Sequence, residues 1–328
     1  SIRITQYQSD NLIVPLIKDV LESPLAGTTG ILTKTNEDAV FIACLLQEQG
    51  MPVRLVQTNS GNFYLGDLDE IRYFNRALDL SQDTHLIDDE RWETAKRCLK
   101  REFGHAQSWE ICRNIILNFE QVYSRKYHSD WTNYLFESKL EDFYPVQGEA
   151  IVVSTIHKAK GKEFDNVFLL LTNIESLSDE KKREVYVAIT RAKQNLSIHT
   201  NGHYLSNIAN GLAEYRINSN TYPAPQSLCY TLTHRDLWLD FFIDSHCQAA
   251  INTLKSGMSL RLTEKGCTDL SNNEILRFSK KFKDILNELI QKDYKLEKAS
   301  VNFVVYWEKQ EDKKEAKIVL PKVVFKKV

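Results

Sequence analysis

Two short runs of this chain carry residue types at spacings that could bind a phosphate-containing ligand. In the first, Thr155–Asp165, His157 and Lys158 place hydrogen-bond donors suited to phosphate oxygens. Gly161 lets the backbone approach a ligand closely, and Glu163 supplies an acceptor for sugar hydroxyls. The alternative for such a run is a charged surface turn between two strands. Taken as a site, the run favours a nucleotide or a nucleic acid as its ligand.

The second run is Tyr186–Ala192, in which Arg191 ends a predicted helix. Arginine presents a planar fork of donors and stays charged at any working pH, so it suits stabilisation of a transferring phosphoryl group. The alternative is an arginine that pairs with a helix dipole or with a nearby carboxylate. Arg191 is the predicted catalytic residue.

The elements that position these runs begin with a strand, a helix and a second strand. Gly30–Thr33 is a short apolar strand, and Thr35–Asp38 has the residue types of a capped helix start. Apolar residues then recur at helical spacing as far as Gly50, and Met51–Val56 is the next predicted strand. A strand–helix–strand unit of this length predicts parallel pairing.

The same alternation resumes after a long helical stretch. Residues from about 80 to 145 are rich in aromatic residues and show no strand alternation, which predicts a helical insertion. Apolar strands are predicted at 150–154, 166–171 and 195–199, with a helix from about 178 to 193 between the last two. Continuous apolar strands predict a parallel sheet covered on both faces. The first run would then lie at the carboxyl edge of that sheet, with Gly161 close to Thr155 there.

Thr221–Gln226, with two prolines close together, is the predicted domain boundary. The elements predicted beyond it are a helix at 234–254, strands at 259–263 and 274–278, a helix near 282–290, and strands at 300–308 and 315–326. This order predicts a small α+β domain. Trp238, Phe241 and Phe242 on the first helix could stack on bases, although aromatic residues at helical spacing more commonly form core.

The two runs resemble the fifth and sixth motifs of superfamily 1 DNA helicases of the UvrD/Rep/PcrA type. The strings are T-x-H-x-A-K-G-x-E-F-D and Y-V-A-I-T-R-A, and Ile31–Asn36 and Phe63–Phe74 resemble two earlier blocks of that family. The order of the four blocks matches, over roughly residues 25–200. The resemblance implies an α/β fold: a RecA-like helicase domain 2A at 1–222 with a short 2B-like helical insertion at about 80–145, followed by an accessory α+β domain at 223–328.

The resemblance also implies roles for individual residues. Gly161, Glu163 and Arg191 would lie on the nucleotide, with Glu163 on the ribose and Arg191 on the γ-phosphate. The residues implied to face a single DNA strand are Thr155, His157, Lys158, Lys34 and Asn36. Two positions depart from the family pattern, because Lys162 replaces a leucine and Lys34 replaces an arginine. The first departure bears on how Glu163 is seated.

The sequence lacks the motifs that should come earlier in such an enzyme. It contains no G-x-x-x-x-G-K-[ST] loop and no strand that ends in a magnesium-binding D-E pair. We therefore predict the C-terminal portion of a larger ATP-dependent DNA helicase, inactive as an ATPase alone. Its partners would be single-stranded or forked DNA and an N-terminal RecA-like domain of the same protein. ATP and Mg²⁺ would bind the full-length enzyme, and this chain alone would hold neither cofactor nor metal.

Two other functions stay open. One is a non-catalytic module, derived from a helicase half, that binds nucleic acid or protein. The other is a helicase–nuclease of the RecB or AddA sort, which would need acidic metal ligands beside a lysine. Asp236, Asp240 and Asp244 share a predicted helix face but have no such partner strand. The layout of 223–328 is loosely similar to the tail of some long bacterial helicases in which a RecQ-type engine precedes a UvrD-type segment.

Composition gives no strong sign of nucleic-acid binding for the chain as a whole. The formal net charge of the 328 residues is −2, so any such contact must come from a local patch. Lysines crowd the last 16 residues, which indicates either the edge of a sheet or a binding surface. Six cysteines stand singly, which predicts reduced, mostly buried thiols in a cytosolic protein. With neither an apolar span nor a signal peptide, the predicted location is cytoplasmic, with no membrane contact.

Overall fold

The computed structural model describes residues 1–56, 64–79, 85–143, 151–172, 178–207, 211, 213–244 and 246–328. The chain divides into two compact units. Unit 1 comprises residues 1–58 and 146–229, and unit 2 comprises residues 59–145 and 230–328.

The strands of the described residues are numbered in chain order. They are β1 Ile2–Tyr7, β2 Thr29–Thr33, β3 Val53–Val56, β4 Leu86–Ile87, β5 Lys126–Tyr127, β6 Ile151–Thr155, β7 Phe164–Leu171, β8 Ala192–Thr200, β9 Glu214–Asn218, β10 Ser227–Thr231, β11 Ser259–Leu262, β12 Gly266–Thr268, β13 Glu274–Arg277, β14 Tyr294–Glu308 and β15 Glu315–Lys327.

The helices of the described residues follow the same numbering. They are α1 Ile13–Glu22, α2 Asn36–Glu48, α3 Asp69–Ala77, α4 Asp89–Phe103, α5 Trp109–Val122, α6 His128–Glu137, α7 Asp179–Ile189, α8 Asp240–Asp244, α9 Cys247–Ile251 and α10 Lys280–Gln291. Short 3-10 helices occur at Leu65–Asp67, Leu140–Asp142, Ile156–Ala159, Tyr204–Asn207 and His234–Asp236.

Unit 1 is built on a parallel sheet whose strand order is β3-β6-β2-β7-β8-β1-β9. Helices α1 and α2 cover one face, where Leu16 and Ile42 are fully buried. Helix α7 and two 3-10 helices cover the other face, with Val185 and Ala188 in its core. The sheet confirms the predicted α/β class, and the antiparallel sheet of unit 2 agrees with the predicted α+β character of the later residues.

The local signals explain most of these elements. Thr35 caps α2 as predicted, because its hydroxyl accepts a hydrogen bond of 3.1 Å from the backbone N–H of Asp38. The apolar run of β6 is buried on both faces of the sheet, as a central parallel strand should be. The prediction that the first element is Gly30–Thr33 is wrong, because β1 and α1 precede it. Strand β1 completes the sheet by pairing with β8 and β9.

A buried polar network lies between β1, α1 and β8 in unit 1. The hydroxyl of Tyr7 lies 2.8 Å from Nδ1 of His199, and Nε2 of His199 lies 3.0 Å from a carboxylate oxygen of Asp19. Arg3 donates to the same carboxylate at 2.6 Å. Burial lowers the pKa of His199, which is 1% exposed, although the nearby Asp19 carboxylate favours its charged form. For Asp19 burial favours a higher pKa, but its bond to His199 and the charges of His199 and Arg3 outweigh this and lower it.

The prediction of reduced cysteines is wrong for one pair. Cys44 on α2 and Cys229 on β10 form a disulfide, with Cα atoms 5.9 Å apart and a separation of 185 positions in sequence. Singly spaced cysteines give no sign of such a bridge, because only the folded sheet brings these two positions together. Cys98, Cys112, Cys247 and Cys267 form no disulfide, which agrees with the prediction of reduced thiols. The inference of a reducing compartment loses the support it took from the cysteines.

The helical segment of unit 2 packs around aromatic rings. Phe74, Trp92, Phe119 and Trp131 are fully buried, and the ring centroids of Trp92 and Trp131 lie 5.3 Å apart, edge to face. Each indole nitrogen has a partner, because Trp92 donates to Glu120 at 2.6 Å and Trp131 donates to a side-chain oxygen at 2.8 Å. The aromatic richness that predicted a helical segment is therefore its core.

Helix α3 begins with two buried carboxylates, Asp69 at 3% and Glu70 at 2% exposure. Nζ of Lys317 on β15 lies 2.8 Å from Oδ1 of Asp69, an ion pair without an aligned hydrogen bond on that oxygen. Ser108 donates to Oε1 of Glu70, while Oε2 has no hydrogen-bond partner within the described residues. Burial raises the pKa of Glu70 above its ordinary value.

The units divide the chain differently from the predicted domains. The helical segment interrupts unit 1 in sequence, but it packs in the same unit as residues 230–328. Its α3 contacts β14 and β15, and Arg72 of α3 lies 2.8 Å from Glu315. Unit 2 resumes at residue 230, within β10, seven residues after the predicted start at 223. The assignment of this segment as 2B-like stays a prediction.

The predicted continuous helix at 234–254 is wrong. The described residues form instead a 3-10 turn followed by the short helices α8 and α9. Leu237 is extended and bridges to Phe278, and the N–H of Trp238 donates to Arg277, which interrupts the helix. Phe241 and Phe242 are buried, whereas Trp238 is 48% exposed.

Among the described residues, no helix has both the length and the apolar character needed to cross a membrane.

Candidate functional site

One group of predicted site residues gathers at the carboxyl ends of two neighbouring strands. Thr33, which ends β2, lies directly opposite Thr155, which ends β6. The predicted DNA-facing residues follow at once, with Lys34 and Asn36 after β2 and His157 and Lys158 after β6. Lys34, Asn36 and His157 are exposed, Lys158 is half-buried and Thr155 is buried. The structure thus brings all five together, but Thr155 is buried beneath the other four.

The second group lies at the opposite edge of the sheet. Phe164 begins β7 and is opposite Ala192, which begins β8, so Gly161, Glu163 and Arg191 are at the amino ends of these strands. The expectation that Gly161 lies beside Thr155 at the carboxyl edge is wrong, because the chain crosses the sheet between residues 156 and 163. A 3-10 helix, Ile156–Ala159, makes part of that crossing.

Gly161 provides an open stretch of backbone. Its φ is +83°, a left-handed conformation that favours glycine, and no heavy atom lies within 4 Å of the place where a Cβ would stand. A side chain here would be strained by the backbone and would fill open space beside Glu163. The predicted close approach of a ligand therefore fits the geometry at this position.

Arg191 is held in place by three hydrogen bonds from its guanidinium. Nε donates to the carbonyl of Val187 at 2.9 Å, Nη1 to the carbonyl of Lys162 at 3.2 Å, and Nη2 to the hydroxyl of Thr190 at 3.1 Å. A guanidinium has five N–H donors, so two are left over by these bonds among the described residues. The side chain is half-buried, with its charge just beyond the carboxyl end of α7, where the helix dipole favours a cation.

Three further contacts join the first motif run to α7 and to the residues that directly follow it. Nε2 of His157 lies 3.4 Å from Glu184 on α7, and Nζ of Lys193 lies 3.6 Å from Oε2 of Glu163. The backbone N–H of Phe164 donates to the carbonyl of Arg191 at 2.8 Å. Together with the bond from Arg191 to Lys162, these contacts tie α7 to the crossing segment at both of its ends.

Residues 131–203 match the family model of the UvrD-like helicase C-terminal domain. This match supports a UvrD/Rep/PcrA-like helicase C-terminal portion. It covers less than a quarter of the chain, yet it contains both motif runs, and a helicase domain of this kind implies interaction with DNA. Comparison with curated proteins found no match.

Within the matched region, sequence reasoning missed Glu184. It precedes Val187 by three positions, so the two share one face of α7, and it precedes Arg191, which follows the end of the helix, by seven. That spacing is visible in the sequence, and an acid two turns before the predicted arginine finger could have been marked as a partner for His157. Its side chain is only 16% exposed, which leaves it directed at the crossing segment.

Asp165, the last residue of the first run, has a structural role that the sequence did not reveal. It accepts hydrogen bonds of 2.8 Å from both the N–H and the hydroxyl of Thr28. The bond from the backbone N–H of Thr28 contributes most, and together with the bond from its hydroxyl it holds the pKa of Asp165 below its ordinary value. A Cβ on Gly27, whose φ is +79°, would come within 2.5 Å of the Asp165 carboxylate. Asp165 therefore fixes the turn before β2 against the start of β7.

Proposed function

We propose that this chain supplies the arginine-finger wall of the ATP site of a DNA helicase, together with part of its single-stranded DNA path. An N-terminal RecA-like domain of the same protein would supply the phosphate loop. The observation that carries the proposal is the placement of Arg191 beside the open backbone at Gly161, with two guanidinium N–H groups left over. Both residues lie inside the region that matches the helicase family.

The amino edge of the sheet fits one side of a nucleotide. Arg191 would bind the γ-phosphate through its remaining donors, and the three bonds to its other donors keep the fork oriented before a ligand arrives. Glu163 would accept from a ribose hydroxyl through Oε1, since Lys193 contacts Oε2. When bound, ATP with Mg²⁺ supplies the phosphoryl group whose transfer to water drives the cycle. Within the described residues no cluster of His, Cys, Asp or Glu could hold a metal, so we assign the Mg²⁺ ligands to the partner domain.

The carboxyl edge fits a polyanion instead. Lys34 and Lys158 place two cations at the ends of two adjacent strands, and Asn36 and His157 place further hydrogen-bond donors there. Such a set suits the phosphates and sugars of a single strand and does not by itself read sequence. We assign this edge to the DNA path.

Helix α7 connects the two edges in this proposal. Glu184 contacts His157 on the DNA side, and Arg191 follows the end of the same helix on the nucleotide side. Movement of the partner domain against Arg191 would therefore displace the support of His157. Glu184 would act as a positioning residue, because it reaches the DNA only through His157.

The test is the variant Arg191→Ala in the full-length protein. Loss of an arginine finger lowers the ATPase rate by about 10³–10⁵-fold, while DNA binding measured without nucleotide stays within about twofold. The matched control is Arg183→Ala, an exposed arginine on the same helix, which leaves the rate unchanged. A wild-type ATPase rate in the Arg191 variant would overturn the proposal.

A second candidate function follows from the internal bonds of Arg191. A guanidinium that ties α7 to the carbonyl of Lys162 could be purely structural, in a non-catalytic module that binds nucleic acid or protein. In that case Arg191→Ala lowers the melting temperature, and Glu163→Gln leaves ATPase activity untouched. The arginine-finger proposal requires ATPase loss in both variants, with both still folded.

A further inference from the structure

The open end of the β14–β15 pair in unit 2 carries a cluster of lysines. We define the lysine face by Lys295, Lys298, Lys322 and Lys326. Lys295 lies directly opposite Lys326, and Lys298 lies opposite Val324 after a bulge in β14. Directly opposed residues of neighbouring strands point to the same side of a sheet. The lysines therefore share one face, although they come from two strands.

The alternation along β15 shows that this face is the solvent side. Lys322, Val324 and Lys326 fall on one face, and all are exposed or half-buried. Val323 and Phe325, which alternate with them, are fully buried. At this end of β15 the core thus lies on the other side, and the lysines are not packed into it. Farther along the same face, Leu320 and Ile318 are buried.

Neighbouring residues add to the positive charge. Ser259 of β11 lies opposite Ser300 of β14, on the lysine face, so Arg261 two residues later lies there too, and it is exposed. Two acids offset part of this charge, because Glu297, at the bulge, lies 3.6 Å from Lys326 and the carboxylate of Asp269 interacts electrostatically with Arg261. The four lysines and Arg261 still leave the area positively charged.

Protection of a sheet edge explains only part of this cluster. Lysine commonly guards an exposed edge strand against pairing with another chain. Lys295 lies beyond the residues of β14 that pair with β11, Ala299 and Ser300, and can have this role. Strand β15, which carries Lys322 and Lys326, lies instead between β10 and β14 in the strand order. Like charges placed close together on one face attract a polyanion.

We propose that the lysine face binds the sugar–phosphate backbone of DNA. Lys322 and Lys326 are four residues apart on β15, so the cationic area is about 14 Å long, and the two adjacent strands that form it lie about 5 Å apart. It would contact about four phosphates without reading base sequence. The choice of DNA as the polyanion rests on the proposed helicase function. The presence of a cationic face that would bind a polyanion does not depend on that function.

The experiment measures DNA binding by the 328-residue chain without nucleotide. The variant combines Lys295→Gln, Lys298→Gln, Lys322→Gln and Lys326→Gln, and the probe is a fluorescent oligo-dT strand or a duplex of the same length, at 50–200 mM KCl. The expected result is at least ~10-fold weaker binding at the lowest salt, with the slope of log K against log salt reduced by about 3. Thermal unfolding at an unchanged temperature shows that the variant is folded.

The matched control removes the same charge elsewhere in unit 2. Its four changes to glutamine are at Lys280 and Lys283 of α10 and at Lys313 and Lys314 of the β14–β15 turn, all exposed. The control keeps the wild-type salt slope. An equal loss in the control would overturn the proposal, because net charge and not the face would then set the affinity.

A unit 1 variant separates this proposal from the helicase function. Lys34→Ala with His157→Ala removes part of the proposed DNA path. If that variant loses binding while the four-lysine variant keeps it, the lysine face is refuted and the unit 1 path stands. If only the four-lysine variant loses binding, the face is supported and the path fails. Unchanged DNA binding with loss of binding to polyglutamate would assign the face to an acidic protein and refute DNA.

Discussion

The motif runs of unit 1 and the start of α3 in unit 2 place charge in opposite ways. The charged residues of the unit 1 motifs are exposed or half-buried, as with Lys34, His157 and Arg191. In unit 2, Asp69 and Glu70 are buried at the start of a helix, where their charges bear on packing. An exposed charge has little effect on stability and is available to a ligand, whereas a buried charge depends on its partner. We therefore expect substitutions in the first set to change function and substitutions in the second to change stability.

The largest expected effect is on the buried ion pair of unit 2. Lys317→Ala leaves Asp69 charged and without its 2.8 Å partner, which should destabilise the protein by about 3–5 kcal/mol in urea unfolding. Lys313→Ala, at a lysine whose side chain is 66% exposed, should stay within about 0.5 kcal/mol. Equal values for the two variants would remove the contrast between buried and exposed charge.

Glu70→Gln, in contrast, should increase the stability of the protein. Burial raises the pKa of Glu70 above 4.5, the ordinary pKa of a glutamate. At pH values just above 4.5 the native state therefore keeps a proton that the unfolded chain releases. Wild-type stability therefore falls as pH rises through that window. The variant should be about 1–3 kcal/mol more stable at pH 7, with the gain vanishing towards pH 4. Glu110→Gln, at an exposed acid paired with Arg113, should show no such pH-dependent gain.

A pH test on unit 1 extends the comparison to its one buried polar network described above. Because the pKa of His199 is lowered, the unfolded chain binds a proton that the native state does not. Stability should therefore fall as pH drops below about 6.5, by at most about 1.4 kcal/mol per pH unit. His199→Asn should flatten that slope, whereas a variant of the exposed His105 should keep it. A slope that persists in the His199 variant would show that other groups carry it.

The smallest expected effect on stability is at the unit 1 motif. Glu163→Gln, at a side chain that is 57% exposed, should change the free energy of unfolding by less than about 0.5 kcal/mol. Its ATPase rate in the full-length protein should nevertheless fall if Glu163 holds the ribose. A large loss of stability would show that Glu163 contributes to packing, as Asp69 and Glu70 do.

Local signals predicted most of unit 1 from sequence. The Thr35 cap, the apolar runs of β6 and β7, and the helix that precedes Arg191 are each fixed by a few neighbouring residues, and each is in place. The first strand was missed although Ile2–Tyr7 alternates as a half-buried strand should. Both motif runs were found because their residue types are unusual together.

Pairings between distant residues could not be predicted. The cysteine bridge, the ion pair of Lys317 with Asp69, and the packing of residues 59–145 with 230–328 all depend on positions far apart in sequence. The placement of Gly161 failed for a related reason. The short crossing at 156–163 contains only the 3-10 helix Ile156–Ala159, which is too short to be recognised in the sequence as a passage from one edge of the sheet to the other.

The disulfide between Cys44 and Cys229 has a consequence for the connectivity of the whole chain. It closes a covalent ring that contains the helical segment of unit 2 and both motif runs. A protease that cuts the backbone once anywhere inside this ring therefore leaves the two pieces joined. The cut chain migrates as one species on a denaturing gel until a reducing agent is added, and only then separates into two fragments.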